Sequence, residues 1–299
     1  MNRKPFSTVT SAVCAALTLF CIGGGGVMSA QAVTAISASD GLAVGDLTAG
    51  VPTPAGALML DTHDGFDASR VSDVSGFDVL DAWPGYVDET GTYWTPAEKG
   101  ASLLVHHVGD WTDPAGASHA MDMRVTVTDW HGIVGLTAQY VPSQDRSEFG
   151  VVAGAWSQPS ADRSWIELRL DLTAADGASL DGFAGVTGFA DLDGGAAEYN
   201  EGWELISGFD TAYVPSDAHL TRYGENGWAG SLDENPQAGD EHGLKHYVGA
   251  VFTSPALTVR YGVAAGQSRG STFMPLNTVS IWPLAYDLNG GAGTIPNEP

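Results

Sequence analysis

The chain has almost nothing to crosslink with. Its only cysteines, Cys14 and Cys21, both lie close to the N-terminus. If that segment is removed, neither a disulfide nor thiol chemistry is left, and packing alone must hold the fold. Positive charge is also scarce: twelve Lys and Arg stand against 36 Asp and Glu, a formal net charge of −24. Such a surface repels polyanions, which excludes nucleic acid and anionic lipid headgroups as partners. Long apolar runs are missing as well. The stretch from Val13 to Ile22 is well short of the roughly 20 residues that a membrane span requires. No stretch of helical period appears either.

What is present begins with a targeting pattern. Asn2, Arg3 and Lys4 give a positive start, the short apolar run follows, and Ala30-Gln31-Ala32 ends it in small residues. Charge, short apolar core and A-x-A in that order make a secretory signal peptide, residues 1–32, cleaved after Ala32. Phe20 is too large for the position before a lipoprotein cysteine, so Cys21 is read as part of the removed segment. After cleavage no segment of the chain inserts in a membrane.

The remainder is globular. Hydrophobic residues make up 43%, with nine Trp, nine Tyr and ten Phe, which no disordered acidic tail would carry. Residues 33–54 are small, polar and Gly/Ala-rich and read as a flexible lead-in with at most one strand. Period two then becomes clear. Met121, Met123, Val125 and Val127 alternate with polar residues, as do Ile166, Leu168, Leu170 and Leu172, and Leu257, Val259 and Tyr261. On a helix these spacings would smear apolar side chains around the whole circumference; on a strand they form one face.

Weaker strand candidates lie at 103–108, 133–140, 151–156, 185–190, 203–209, 246–253 and 279–286. Gly and Asp turns such as Asp113-Pro114-Ala115-Gly116 and Glu225-Asn226-Gly227 punctuate them. Many short strands with one-face alternation predict an all-β, antiparallel β-sandwich of jelly-roll or Ig-like type without disulfides, over residues 55–282, as one body or two packed sub-domains. An acidic, nearly apolar-free loop interrupts the pattern at 231–243.

Two resemblances bear on function. Tyr286-Asp287-Leu288-Asn289-Gly290-Gly291-Ala292-Gly293-Thr294 resembles the opening strand and turn of an internalin-type B repeat, so 283–299 reads as a linker or the start of a truncated repeat. The run from Gly188 through Asp191, Asp193, Trp203 and Tyr213, followed by Tyr223-Gly224-Glu225-Asn226-Gly227-Trp228, is similar to N-terminal β-rich domains of large cell-wall surface proteins of the gut actinobacterial type. Those resemblances imply an adhesin-like role at a cell surface and carry over no catalytic residue.

Candidate chemistry concentrates in one acidic turn. Asp191, Asp193, Glu198, Asn200 and Glu201, with Glu204 beyond them, supply the oxygen ligands that calcium takes. The spacing departs from the helical calcium loop, since Ala196 and Gly202 occupy the positions that want Gly and Glu. The same carboxylates could serve glycoside hydrolysis if a pair flanked one cleft. His106 and His107 are sequence neighbours that a strand would send to opposite faces, so they cannot chelate together. His242 and His246 lack the Glu of a zinc-protease motif, and no Gly-x-Ser-x-Gly elbow occurs. Trp83, Tyr86, Tyr93, Trp94, Trp111, Trp130, Trp203 and Trp228 flank turns or open strands, where they either fill the core or stack on sugars.

The sequence therefore reads as a non-catalytic, adhesin-like surface domain that binds an extracellular protein or glycan. A calcium-assisted, lectin-like carbohydrate-binding module is the second reading, and a fragment of a secreted glycoside hydrolase the third. N-terminal sequencing of the exported product should begin at Val33. A product that retains Met1 outside the cell would contradict the targeting assignment.

Overall fold

The computed structural model describes residues 42–84, 90–142, 145–155, 162–194, 199–231, 243–274 and 278–281. Within the described residues there is no α-helix, and the regular structure is strand with three short 3-10 turns. In chain order the strands are β1 Ala43–Asp46, β2 Val51–Pro54, β3 Leu58–Met59, β4 Val71–Ser75, β5 Phe77–Leu80, β6 Thr90–Pro96 and β7 Ser102–Val105. They continue with β8 Asp110–Thr112, β9 Ser118–His131, β10 Val134–Val141, β11 Arg146–Ala153, β12 Ser164–Ala174, β13 Gly185–Phe189 and β14 Glu201–Ser207. The last are β15 Thr211–Val214, β16 Leu220–Arg222, β17 Gly227–Gly230, β18 Val248–Phe252, β19 Ala256–Val263, β20 Arg269–Thr272 and β21 Thr278–Ile281. All of them belong to one compact unit, Val33–Ala285.

The largest sheet runs β16-β17-β14-β19-β12-β9-β7-β4, with β8 added beside β9. Its long central strands are the three alternating segments of the sequence. In β12, Ile166, Leu168, Leu170 and Leu172 are buried while Arg169 is exposed. In β9, Met121, Met123, Val125 and Val127 are buried in the same way. Register aligns these apolar sets, because Leu168 lies opposite both Val127 and Val259. One face of the sheet is therefore continuous hydrocarbon.

Two five-stranded sheets cover that face: β1-β15-β18-β13-β3 and β20-β11-β10-β6-β5. The segment 60–62 stitches them into one layer. Leu60 N–H donates to Val186 O at 2.9 Å, Thr62 N–H to Phe273 O at 2.8 Å, and Phe149 N–H to Thr62 O at 2.9 Å. Apolar side chains of all three sheets join in one cluster. Trp203 sits at its crossing point, its ring centroid 4.8 Å from Phe189, 5.0 Å from Tyr261 and 5.6 Å from Phe273. The result is an all-β sandwich, in agreement with the sequence reading.

Three features differ from expectation. The lead-in carries two strands rather than at most one: β1 pairs with β15 and β2 with β21, both in parallel. Long-range pairing overrides the turn-rich local composition there. β3 also pairs in parallel, with β13, so the antiparallel pattern has parallel additions at its margins. Finally, β13 is buried at every position, because smaller apolar clusters cover the far faces of the five-stranded sheets. The signal segment, most of the acidic loop and residues 283–299 lie outside the described residues.

The face assignment makes a paired prediction. Leu168→Ala should lower the unfolding free energy by about 2–5 kcal/mol. Arg169→Ala, one position along and pointing to solvent, should change it by no more than about 0.5 kcal/mol. Urea denaturation followed by tryptophan fluorescence measures both, and equal costs would contradict the alternation.

Candidate ligand-binding site

The acidic turn is a tightly tied hairpin. Asp191 takes a positive φ of 60° at its entrance. Asn200 N–H donates to Asp193 O at 2.9 Å, and the Asn200 side-chain amide donates to Gly194 O at 2.9 Å. A buried His246 donates from Nδ1 to Leu192 O at 3.0 Å. The carboxylates then diverge. Asp193 faces Arg269, at 3.6 Å from its Nε. Glu201 points into the core, where its carboxylate accepts the Tyr261 hydroxyl at 2.7 Å. Glu204 points to the opposite face of the sheet, accepting from Arg260 at 3.0 Å and from Glu225 N–H at 2.8 Å. Glu198 lies outside the described residues.

That divergence bears on two of the sequence readings. Among the described residues no three metal-ligating side chains gather around a common point. Glu201 and Glu204 lie on opposite faces of β14, so they cannot flank one glycosidic bond. The flanking aromatics are also accounted for: Trp83, Tyr93, Trp94, Trp111, Trp203 and Trp228 are buried. Core packing, not sugar stacking, is their role. Tyr86 and His242 lie outside the described residues, and Trp130 is partly buried against the core.

A different constellation occupies the solvent face of the large sheet. Arg260 on β19 is its centre. It donates to Glu167 on β12 at 2.6 Å and to Glu204 on β14 at 3.0 Å, and its guanidinium lies 4.8 Å from the ring centroid of Trp165. Thr128 on β9 extends the chain, donating to Glu167 at 2.8 Å. Beside it, Arg163 covers Tyr199 at 4.9 Å, and Tyr199 meets Tyr223 edge-on at 5.2 Å. A missing side chain makes this possible. Gly262 sits between Trp165 and Tyr223, and a Cβ there would collide with the Tyr223 hydroxyl. Burial against this gap, reinforced by nearby Tyr199, pushes the Tyr223 hydroxyl well above its ordinary value.

The outcome is a strip of aromatic rings interleaved with fixed charges, running across adjacent strands. Arginine and aromatic side chains of this kind dominate binding energy at interfaces. Sequence reasoning missed the strip. Its members, from Thr128 to Arg260, are separated by more than a hundred positions, and only strand register brings them together.

Glu201 supplies a pH signature. Burial, with Asp193 and Asp191 nearby, raises its carboxyl well above the ordinary 4.5, against the bond from Tyr261. The folded state thus holds a proton that the unfolded state releases above about 4.5. Stability contributed by this group is full at low pH and is lost as pH rises toward the folded-state value. Glu201→Gln, which mimics the protonated acid, should be more stable than the parent at pH 7 and should show a flatter rise on acidification. Thermal midpoints from pH 4 to 8 read this out; a variant that is less stable at pH 7 would refute it.

Comparison with known proteins gives the fold a context. No protein-family model and no curated protein sequence matches the chain. Among solved structures, the N-terminal domain of the Streptococcus gordonii adhesin Sgo0707 is similar, with a TM-score of 0.50 at 13% identity. That match covers 78% of this chain and 66% of that domain. The Glucan Binding Protein C of Streptococcus mutans matches with a TM-score of 0.42 at 12% identity, over 81% of each chain. At such identities the likeness to the Sgo0707 domain is one of fold: the chain carries the β-rich architecture of a bacterial adhesin's N-terminal domain.

Proposed function

We propose that this chain is an exported, adhesin-like binding domain of a bacterial surface protein, and that its partner is an extracellular protein or glycan. The observation that carries this reading is the strip around Arg260. A partly exposed Trp165, an exposed Arg163 and the Glu167–Arg260–Glu204 chain, with Glu204 itself buried, stand on the sheet face turned away from the main apolar rows. An interface of this composition offers rigid aromatic contact area together with charges already held in place, so little ordering is needed on binding. The fold shared with an adhesin domain supports the reading by analogy. The targeting pattern of residues 1–32 and the B-repeat-like residues 283–299 fit a wall-associated protein of the gut actinobacterial type.

The test is direct. The secreted chain is screened against immobilised matrix proteins and glycans, and the hit is titrated with variants. Trp165→Ala and Arg260→Ala should each weaken binding by roughly tenfold or more, in line with the truncation of interface anchors. Thr173→Ala, exposed on the same face of β12 but six residues beyond Glu167, should leave it unchanged. Full-strength binding by both strip variants would move the site elsewhere.

A further inference from the structure

Three adjacent strands bring a second constellation to the solvent face, near the sheet edge. Ser72 Oγ on the edge strand β4 lies 2.7 Å from His106 Nε2, just beyond β7. His106 Nδ1 lies 3.1 Å from Asp122 Oδ2 on β9. The other oxygen of Asp122 accepts the backbone N–H of His107 at 3.0 Å, which fixes the carboxylate. A carboxylate only accepts, so Nδ1 carries the proton and Nε2 presents its lone pair to the serine hydroxyl. Nucleophile, base and orienting acid thus stand in the order and at the distances of a Ser-His-Asp triad.

The backbone around them is also special. Two of the non-glycine residues with positive φ, Asp73 at 49° and His107 at 54°, directly follow Ser72 and His106. Pairing of β4 with β7 breaks between Ser72 and Ser75, so Asp73 and Val74 form a bulge next to the hydroxyl. Backbone held in uncommon conformations beside reactive groups is a feature of functional sites. Bulges likewise re-aim side chains.

We propose that Ser72, His106 and Asp122 form an esterolytic centre that hydrolyses short-chain carboxylic esters, an activity beyond the binding role. Ser72 Oγ attacks the ester carbonyl carbon while its proton passes to His106 Nε2. The carbon–oxygen bond to the alcohol breaks, and the departing oxygen takes that proton. Water then attacks the acyl-serine, passing a proton through Nε2 back to Ser72 Oγ as the carboxylic acid leaves. The amides of Asp73 and Val74 are the donors for the oxyanion, as the amide after the nucleophile is in other serine hydrolases. Asp122 acts as a positioning residue. The acyl group is short because the site lies open on a sheet face, with His106 side chain 42% exposed and Val74 as its exposed aliphatic neighbour.

The experiment uses the full mature chain, a fluorophosphonate probe and p-nitrophenyl acetate. One adduct mapped to Ser72 and measurable acetate release are expected. Ser72→Ala should abolish the adduct, and it and His106→Gln should each cut turnover by roughly 100-fold or more. Asp122→Asn should slow labelling by a similar factor and remove the low-field Nδ1 proton resonance of His106, while Asp122→Glu restores part of both. Ser75→Ala should behave as the parent. Circular dichroism and thermal midpoints establish that each variant is folded. An adduct absent or located elsewhere in the folded parent, or turnover unchanged in Ser72→Ala, overturns the proposal. Ligand binding through Trp165 is read separately and does not depend on either result.

Discussion

The contact between the inner face of the nine-stranded sheet and the stitched layer opposite it is what everything else in this fold rests on. No cysteine occurs beyond Cys21, so no disulfide links the strands of this fold. Each buried Leu, Ile, Val or Phe side chain contributes about 1.5–3 kcal/mol relative to exposure. The rows from β9, β12 and β19 place such groups at every second position along three long neighbouring strands. Trp203 ties the layers at their crossing, with its indole N–H donating to Ser271 at 2.9 Å. Removing polar atoms from water is tolerated there because the donor keeps a partner.

A second layer covered on both sides imposes a further condition. Polar groups on the far face of the β10–β11 pair have lost water and must satisfy one another. Tyr93 donates to Gln139 at 3.1 Å, Gln139 to Glu148 at 3.0 Å, and Arg146 to the other Glu148 oxygen at 3.0 Å. Nearby His63 is held down to about 4 by burial and by the charge of Arg146, so it is neutral in the folded protein near pH 7. This network is connected throughout, which is the condition under which buried polar groups specify register instead of merely costing stability.

The same logic explains what could be read from the amino acids alone. Strands with one wet face show period two, and 121–128, 166–172 and 257–261 were legible for that reason. In β13 both faces are dry, so Gly185, Val186, Thr187, Gly188 and Phe189 show no alternation, only an apolar run. The parallel partners β1, β2 and β3 are two to four residues long, and distant neighbours decide them. The acidic turn was visible as a cluster of carboxylates, yet strand geometry sends Glu201 inward and Glu204 outward. Composition cannot report that inversion. The strip around Arg260 and the Ser72–His106–Asp122 constellation left no local motif, because cross-strand register, not spacing along the chain, assembles both.

Register also fixes how far apart those two constellations are. Glu167, in the strip, pairs with Asp129 on β9, whereas Asp122 on the same strand pairs with Thr173. At about 3.3 Å per residue the two patches are separated by roughly 20 Å along the strand direction, on one face. No chain of hydrogen bonds among the described contacts links Arg260 to His106. What they share is the sheet itself, whose strand spacing is set by backbone hydrogen bonds and whose inner face is held by the hydrocarbon underneath. A surface of this kind can change side chains at one patch without disturbing the other, since outward substitutions leave the inward rows intact. Separating the face that stabilises from a face left free to vary is a direct consequence of period two, and it needs neither a disulfide nor a balanced surface charge.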